Sequence, residues 1–170
     1  PTQEGIYQHY TAVCGSTDAP VILYNVPGRT GSNVLANTVL RVAQDCPNAV
    51  AMKEASGNLE QAMAIIQSAP AGFDVLSGDD NLTLPLLACG AKGVISVSGQ
   101  AYPRLFSGMV RDARAGRLED AQRAHYELFT FTQLLFAEGN PGGIKAALAH
   151  LGLCENFLRL PLVPVSAELN

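Results

Sequence analysis

Four short apolar runs, each followed by a stretch of helical periodicity, constrain this 170-residue chain more than any other feature. The runs begin near residues 21, 49, 73 and 93, in the segments PVILYNV, NAVAMKEAS, FDVLSGDD and KGVISVSG. They are nearly continuous in apolar residues and do not alternate, which is how strands buried on both faces of a parallel sheet read. The intervening segments read as helices over 33–45, 57–69, 81–90 and 102–115. Asn58 is the N-cap of the second, Pro85 lies in or near the first turns of the third, and Gly116 ends the fourth. A further helix precedes the first run over 2–15, with Thr2 as N-cap and Ile6, Tyr10 and Val13 at helical spacing. The segment PGRTG after the first run is a dense turn signal. Strand-helix alternation of this kind predicts an α/β fold with parallel strands and right-handed crossovers.

Beyond residue 116 the pattern changes. A long helix over 118–139 and a shorter one over 142–152 form a helical appendage, followed by an extended, proline-broken tail. Two regions follow: 1–116 for the βα units and 117–170 for the helical extension.

Composition narrows the function classes. Hydrophobic residues are 48% of the chain, as in a globular protein, and charged residues only 15% against roughly 25% in an average soluble domain. So little charge predicts surface buried beyond the chain's own core. The net charge is −4 and no stretch is basic enough to follow a phosphate backbone, so nucleic acid is not an expected partner. No apolar run approaches the ~20 residues that cross a bilayer. The opening PTQEGIYQHY has neither the basic nor the apolar part of a signal peptide, and the chain lacks an initiating Met, which points to processing or truncation. Cys14, Cys46, Cys89 and Cys154 form no Cys-x-x-Cys pair and read as reduced thiols of a cytoplasmic protein.

In α/β folds of this type ligands bind at the C-terminal ends of the strands. Those ends carry Tyr24, Asn25 and Arg29; Lys53 and Glu54; Ser77, Gly78, Asp79 and Asp80; and Ser96, Ser98 and Gly99. Lys53 directly follows four apolar residues, so its stem is expected inside the strand layer, where desolvation disfavours the ammonium. A neutral amine there can attack a carbonyl and form a Schiff base. The alternative is a lysine that snorkels or pairs with Glu54, Asp79 or Asp80. Tyr24 can relay protons beside such a lysine, or simply pack at the sheet edge with a wet hydroxyl. Arg29 can hold a carboxylate with its planar fork, or be a solvated loop residue. Asp79 and Asp80 can serve a site or cap the following helix. They have no nearby His or Cys, so no metal is expected, and His9, His125 and His150 are scattered over helices. No Gly-x-Gly-x-x-Gly or P-loop pattern is present, and no cofactor is expected.

The ordered set ILYNVPGRTG (22–31), AMKEASGN (51–58), LSGDD (76–80) and GVISV (93–97) resembles the dihydrodipicolinate synthase family, also called 4-hydroxy-tetrahydrodipicolinate synthase. PTQEGIYQHY, NPGGIKAAL and LRLPLVPVS resemble the same family, so the likeness runs over nearly the whole chain in order. The resemblance implies the C-terminal half of a (β/α)8 TIM barrel with a C-terminal helical extension. It implies condensation of pyruvate with aspartate 4-semialdehyde in lysine and diaminopimelate biosynthesis, by a homotetrameric cytoplasmic lyase.

By the same resemblance Lys53 is the Schiff-base lysine and Tyr24 the residue that passes protons to and from bound pyruvate. Arg29 holds that tyrosine and the aldehyde's carboxylate, and Gly78 and Ile95 line the pocket by their backbones. A barrel has eight βα units and this chain shows four, so the resemblance implies a fragment that is inactive alone. A threonine pair and a second tyrosine, the latter from a neighbouring subunit, would belong to the other half. Two alternatives stand beside this reading: another pyruvate-dependent aldolase, such as an N-acetylneuraminate lyase relative, and a non-catalytic α/β module.

Overall fold

The computed structural model describes residues 1–169. The chain divides into two compact units, Pro1–Ile95 and a second that begins at Ser96. Asn170, the last residue of the expected helical extension, lies outside the described residues.

The first unit opens with helix α1 (Gln3–Gly15), where Thr2 is the N-cap and its hydroxyl accepts from the Gly5 N–H. Strand β1 (Val21–Asn25) follows, then β2 (Ala49–Glu54), β3 (Asp74–Ser77) and β4 (Gly93–Val94). The four strands form one parallel sheet in the order β1-β2-β3-β4. Consecutive parallel strands need crossovers, and helices supply them: α3 (Ala36–Asp45), α4 (Leu59–Ser68) and α5 (Thr83–Ala88). Asn58 caps α4 through its side-chain oxygen, 3.0 Å from the Gln61 N–H.

Several local details depart from the sequence expectation. PGRTG is not an open turn but a one-turn helix, α2 (Pro27–Thr30). Pro27 has its φ preset for a first helical position, and Gly31 closes the turn at φ 65°, a conformation glycine adopts without strain. Helix α3 starts at Ala36, not at residue 33, because Asn33 and Val34 turn inward to hydrogen-bond Asn25. Strand β4 is only two residues long; a 3-10 turn over Ser98–Gln100 follows it closely.

The larger departure is in burial. Helices α1, α3 and α4 pack against one face of the sheet around Leu23, Met52 and Val75, together with Ile6, Val39, Val42 and Ile65. Met52, Val39, Val42 and Ile65 have no exposed surface, and burying each such side chain contributes about 1.5–3 kcal/mol. The other face does not share this cover. Ile22 is 45% exposed, Tyr24 43% and Ile95 42%. These side chains are therefore exposed among the described residues, whereas Ala51, the partner of Ile22 on that face, is buried. The near-continuous apolar sequence of the strands holds on both faces, but the helices of this unit cover only one.

The second unit contains α6 (Pro103–Arg114), α7 (Leu118–Ala137) and α8 (Gly142–His150). On α7, Ala121, Ala124, His125, Leu128, Thr132 and Leu135 make one buried stripe at helical spacing. Leu135 packs with Ala101 and Ile144, and the Ser98 and Thr132 hydroxyls share a buried hydrogen bond of 2.8 Å. Gly143 lets α8 approach the backbone of α7 at Leu135. The tail leaves Phe157, Leu160 and Val163 exposed, apolar surface of the kind the low charge content foreshadows. No helix is long and apolar enough to cross a membrane among the described residues.

Candidate active site

Register places the candidate residues. Tyr24 of β1 is the direct partner of Lys53 on β2, and Lys53 is the partner of Leu76 on β3. Partners in a parallel ladder point to the same side, so Tyr24 and Lys53 emerge together on the open face at the C-terminal end of the sheet. Lys53 Nζ lies 4.1 Å from the centre of the Tyr24 ring. An ammonium in that position is attracted by the ring's negative face, by about 0.5–1 kcal/mol at a partly exposed site. Lys53 itself is half-buried.

Gly78 follows β3 on the same side. A Cβ there would sit 2.9 Å from Lys53 Cε, 3.0 Å from Lys53 Cγ and 2.7 Å from Ala55 Cβ. The missing side chain is thus the space the lysine stem occupies. Gly78 is fixed by its N–H, which donates to the Glu54 carbonyl at 2.7 Å. Ile95 directly follows β4, its N–H donating to the Ser77 carbonyl at 2.9 Å, and its side chain is exposed. Arg29 is the last-turn cation of α2, five residues beyond Tyr24, and is exposed. Lys53 stands between the Tyr24 ring and the space left by Gly78; Ile95 and Arg29 stand at the ends of neighbouring segments.

Glu54 and Asp79, two of the ion-pair partners offered as alternatives for Lys53, are engaged elsewhere. Glu54 points to the opposite face and is 4% exposed. The Asp79 carboxylate accepts from the Asn81 N–H at 3.2 Å and so caps the short 3-10 turn over Asp80–Leu82. Burial raises the Asp79 carboxyl above its ordinary value, against the two backbone hydrogen bonds that lower it. No cluster of three or more His, Cys, Asp or Glu assembles among the described residues.

Sequence reasoning missed a group of amides behind the strand ends. Asn25 and Glu54 are themselves register partners on the covered face, and Asn25 Nδ2 donates to both Glu54 oxygens, at 3.3 and 3.1 Å. Gln61 Nε2 donates to Glu54 at 3.1 Å, and the Ser56 N–H at 2.6 Å. The one available signal was two adjacent polar residues ending two apolar runs. In the sequence Tyr10 stands only as part of a helical stripe. Its hydroxyl reaches the edge of β1, donating to the Tyr24 carbonyl at 3.5 Å and accepting from the Tyr24 N–H at 3.4 Å.

This is an α/β protein of parallel βα units that gathers an amine, a phenol and a side-chain-free glycine at the C-terminal strand ends. The chain belongs to the dihydrodipicolinate synthetase family, which it matches over residues 1–170. It is 57% identical over 164 residues to 4-hydroxy-tetrahydrodipicolinate synthase of Phocaeicola vulgatus, covering 96% of this chain and 55% of that protein. The crystal structure of dihydrodipicolinate synthase from Aquifex aeolicus superposes with a TM-score of 0.97 at 42% identity, covering 99% of this chain and 58% of that one. The chloride-inhibited enzyme from Acinetobacter baumannii, complexed with pyruvate, gives 0.95 at 38% identity, with 99% and 58% covered. The chain spans little more than half the length of these relatives, and its four parallel βα units are the C-terminal half of a (β/α)8 barrel, followed by helices.

Proposed function

We propose that this chain carries the amine half of a Schiff-base lyase that condenses pyruvate with aspartate 4-semialdehyde. The observation that carries the reading is the 4.1 Å approach of Lys53 Nζ to the Tyr24 ring on the open face of the strand ends. The pyruvate bound in the Acinetobacter baumannii relative supports the same substrate class.

Neutral Lys53 Nζ attacks the ketone carbon of pyruvate, and loss of water gives an imine. Tyr24 returns the proton that the carbinolamine oxygen needs to leave as water. Tyr24 then takes a methyl proton from the iminium to give an enamine, whose carbon attacks the aldehyde of the second substrate, and returns the proton to the new alkoxide. The amine of that substrate then attacks the imine carbon, closing a ring and releasing Lys53. Arg29 holds the carboxylate of the incoming aldehyde, and its planar fork suits the task. Gly78 and Ile95 bound the pocket by their backbones.

In this reading residues 1–116 serve as barrel and 117–170 as helical extension. The active form is a cytoplasmic homotetramer in which other segments complete the pocket. An N-acetylneuraminate lyase-like aldolase would keep Lys53 and Tyr24 without needing Arg29, so the presence of Arg29 favours the synthase. The test is turnover of both substrates by the natural protein that carries this chain and by its Lys53→Arg variant. Arginine stays charged and forms no imine, so a loss of about 100-fold or more is expected. Near-normal condensation by Lys53→Arg would sink the assignment.

A further inference from the structure

Glu54 follows the candidate nucleophile directly, yet its carboxylate is buried on the opposite side of the sheet. Every hydrogen bond it makes comes from an amide: Asn25 Nδ2, Gln61 Nε2 and the Ser56 N–H. The amides are mutually fixed. Asn25 Oδ1 accepts from the Val34 N–H at 3.1 Å, which sets the Asn25 side chain with its nitrogen toward Glu54 and toward Asn33 Oδ1, the latter at 2.8 Å. Asn33 Nδ2 donates to Gln61 Oε1 at 2.9 Å, and Gln61 Nε2 donates back to Asn33 Oδ1 at 3.3 Å. The network therefore joins the last residues of β1 and β2, the segment that follows α2, and the first turn of α4.

The backbone ladder between β1 and β2 runs out here, with the Ala55 N–H donating to the Asn25 carbonyl at 2.9 Å. One residue earlier on each strand stand Tyr24 and Lys53. Beyond Asn25 the side-chain network takes over from the ladder. The Glu54 carbonyl also holds Gly78, the residue that makes room for the lysine stem.

We propose that Glu54, with Asn25, Asn33 and Gln61, is a positioning residue that fixes the spacing and direction of Tyr24 and Lys53 for catalysis. It touches no substrate and acts through the strand ends. This rests on the Schiff-base reading of Lys53. The chemistry makes the role sensitive to a single atom. In Glu54→Gln one acceptor oxygen becomes an NH2 that faces another donor at hydrogen-bond distance, so the strand ends are pushed apart at nearly constant volume. Exchanging the charge with Asn25, as Glu54→Gln with Asn25→Asp, puts a donor opposite an acceptor at each of these contacts again once the Asn33 and Gln61 amides turn over.

The experiment measures kcat, the KM for pyruvate and the rate of borohydride-trappable imine formation in the natural protein, the single variant and the exchange variant. Circular dichroism at the assay temperature establishes that each is folded. The expected result is a kcat and an imine-formation rate lowered about 10- to 100-fold in Glu54→Gln, with KM little changed and most of the loss recovered in the exchange variant. A merely structural role would lower the melting temperature and leave kcat of the folded protein unchanged, and that result would overturn the proposal. A single variant that does not fold shifts the comparison to the exchange variant. If that folds, kcat near the natural value upholds the proposal, and a loss as large as that expected for the single variant overturns it. If neither folds, the network serves stability and the proposal fails. Absence of pyruvate trapping in the natural protein would remove the Schiff-base reading and the proposal with it, an outcome distinct from trapping that Glu54→Gln leaves untouched.

Discussion

Tyr24 and Lys53 are partners across the parallel pair β1 and β2, and the lysine Nζ lies 4.1 Å from the tyrosine ring centre. Adjacent strands stand about 4.8 Å apart, so two side chains leaving the same face at paired positions meet with no loop rearrangement. The pair is held by the sheet itself, and its geometry is set by the register and by whatever fixes the strand ends.

The division of labour between Tyr24 and Arg29 is separable in kinetics. Tyr24→Phe keeps the ring that faces Lys53 but carries no proton, so turnover should fall about 100-fold or more. Arg29→Ala removes a charge-assisted contact worth about 1.5–3 kcal/mol. Catalytic efficiency for the semialdehyde should therefore fall by about one to two decades, while imine formation with pyruvate is spared. An equal loss of pyruvate imine in Arg29→Ala would contradict the assignment.

Gly78→Ala tests the room made for the lysine stem. The new methyl would lie 2.7 Å from Ala55 Cβ and 2.9 Å from Lys53 Cε, closer than carbon atoms pack. The lysine stem can turn aside, but Ala55 Cβ moves only with its backbone. Turnover should drop about 100-fold through misplacement of Nζ, with a stability cost of about 1–3 kcal/mol. Full activity in Gly78→Ala would show that the stem takes another path.

Gly143→Ala probes the second unit alone. A Cβ there would meet the Leu135 carbonyl oxygen and lie 2.7 Å from Leu135 Cα, both backbone atoms that cannot rotate away. Thermal or denaturant unfolding should show a loss of about 1–3 kcal/mol or more. A variant as stable as the natural protein would mean that α7 and α8 do not pack as described.

His125 gives a pH dependence of known sign. Burial lowers its pKa from 6.5, because the charged ring loses hydration beside Tyr126 and Phe129. Between the folded and unfolded values the unfolded chain binds more protons, so stability rises with pH there. Its contribution is complete above about 6.5 and is lost as pH falls through the lowered folded value. Melting temperatures of the natural protein and of His125→Phe, compared from pH 7 downward, should diverge, with the variant losing less. Parallel curves would contradict the burial of this ring.

Much of the fold is legible in sequence because each strand-helix unit carries its own punctuation. Thr2 and Asn58 cap where the residue pattern places them, and Lys53 stands out because a cation ends an apolar run. The amide network is not legible for a physical reason. Asn25 and Glu54 look like ordinary strand ends until Asn33 and Gln61, from two other segments, supply their partners. Nor does sequence reveal which sheet face is covered, since Ile22 and Leu23 are equally apolar but only Leu23 lies under helices. In the second unit the Ser98 hydroxyl is equally silent in sequence, since its buried partner Thr132 is 34 residues away.

The central claim is that Lys53 is the amine that captures pyruvate. The chain has three lysines, Lys53, Lys92 and Lys145, so one experiment separates them. The natural protein is treated with pyruvate and borohydride, digested, and the peptides are weighed. A pyruvate-dependent carboxyethyl group on the peptide containing Lys53, and on neither of the others, is the expected result. No added mass, or mass on Lys92 or Lys145 instead, would contradict the account.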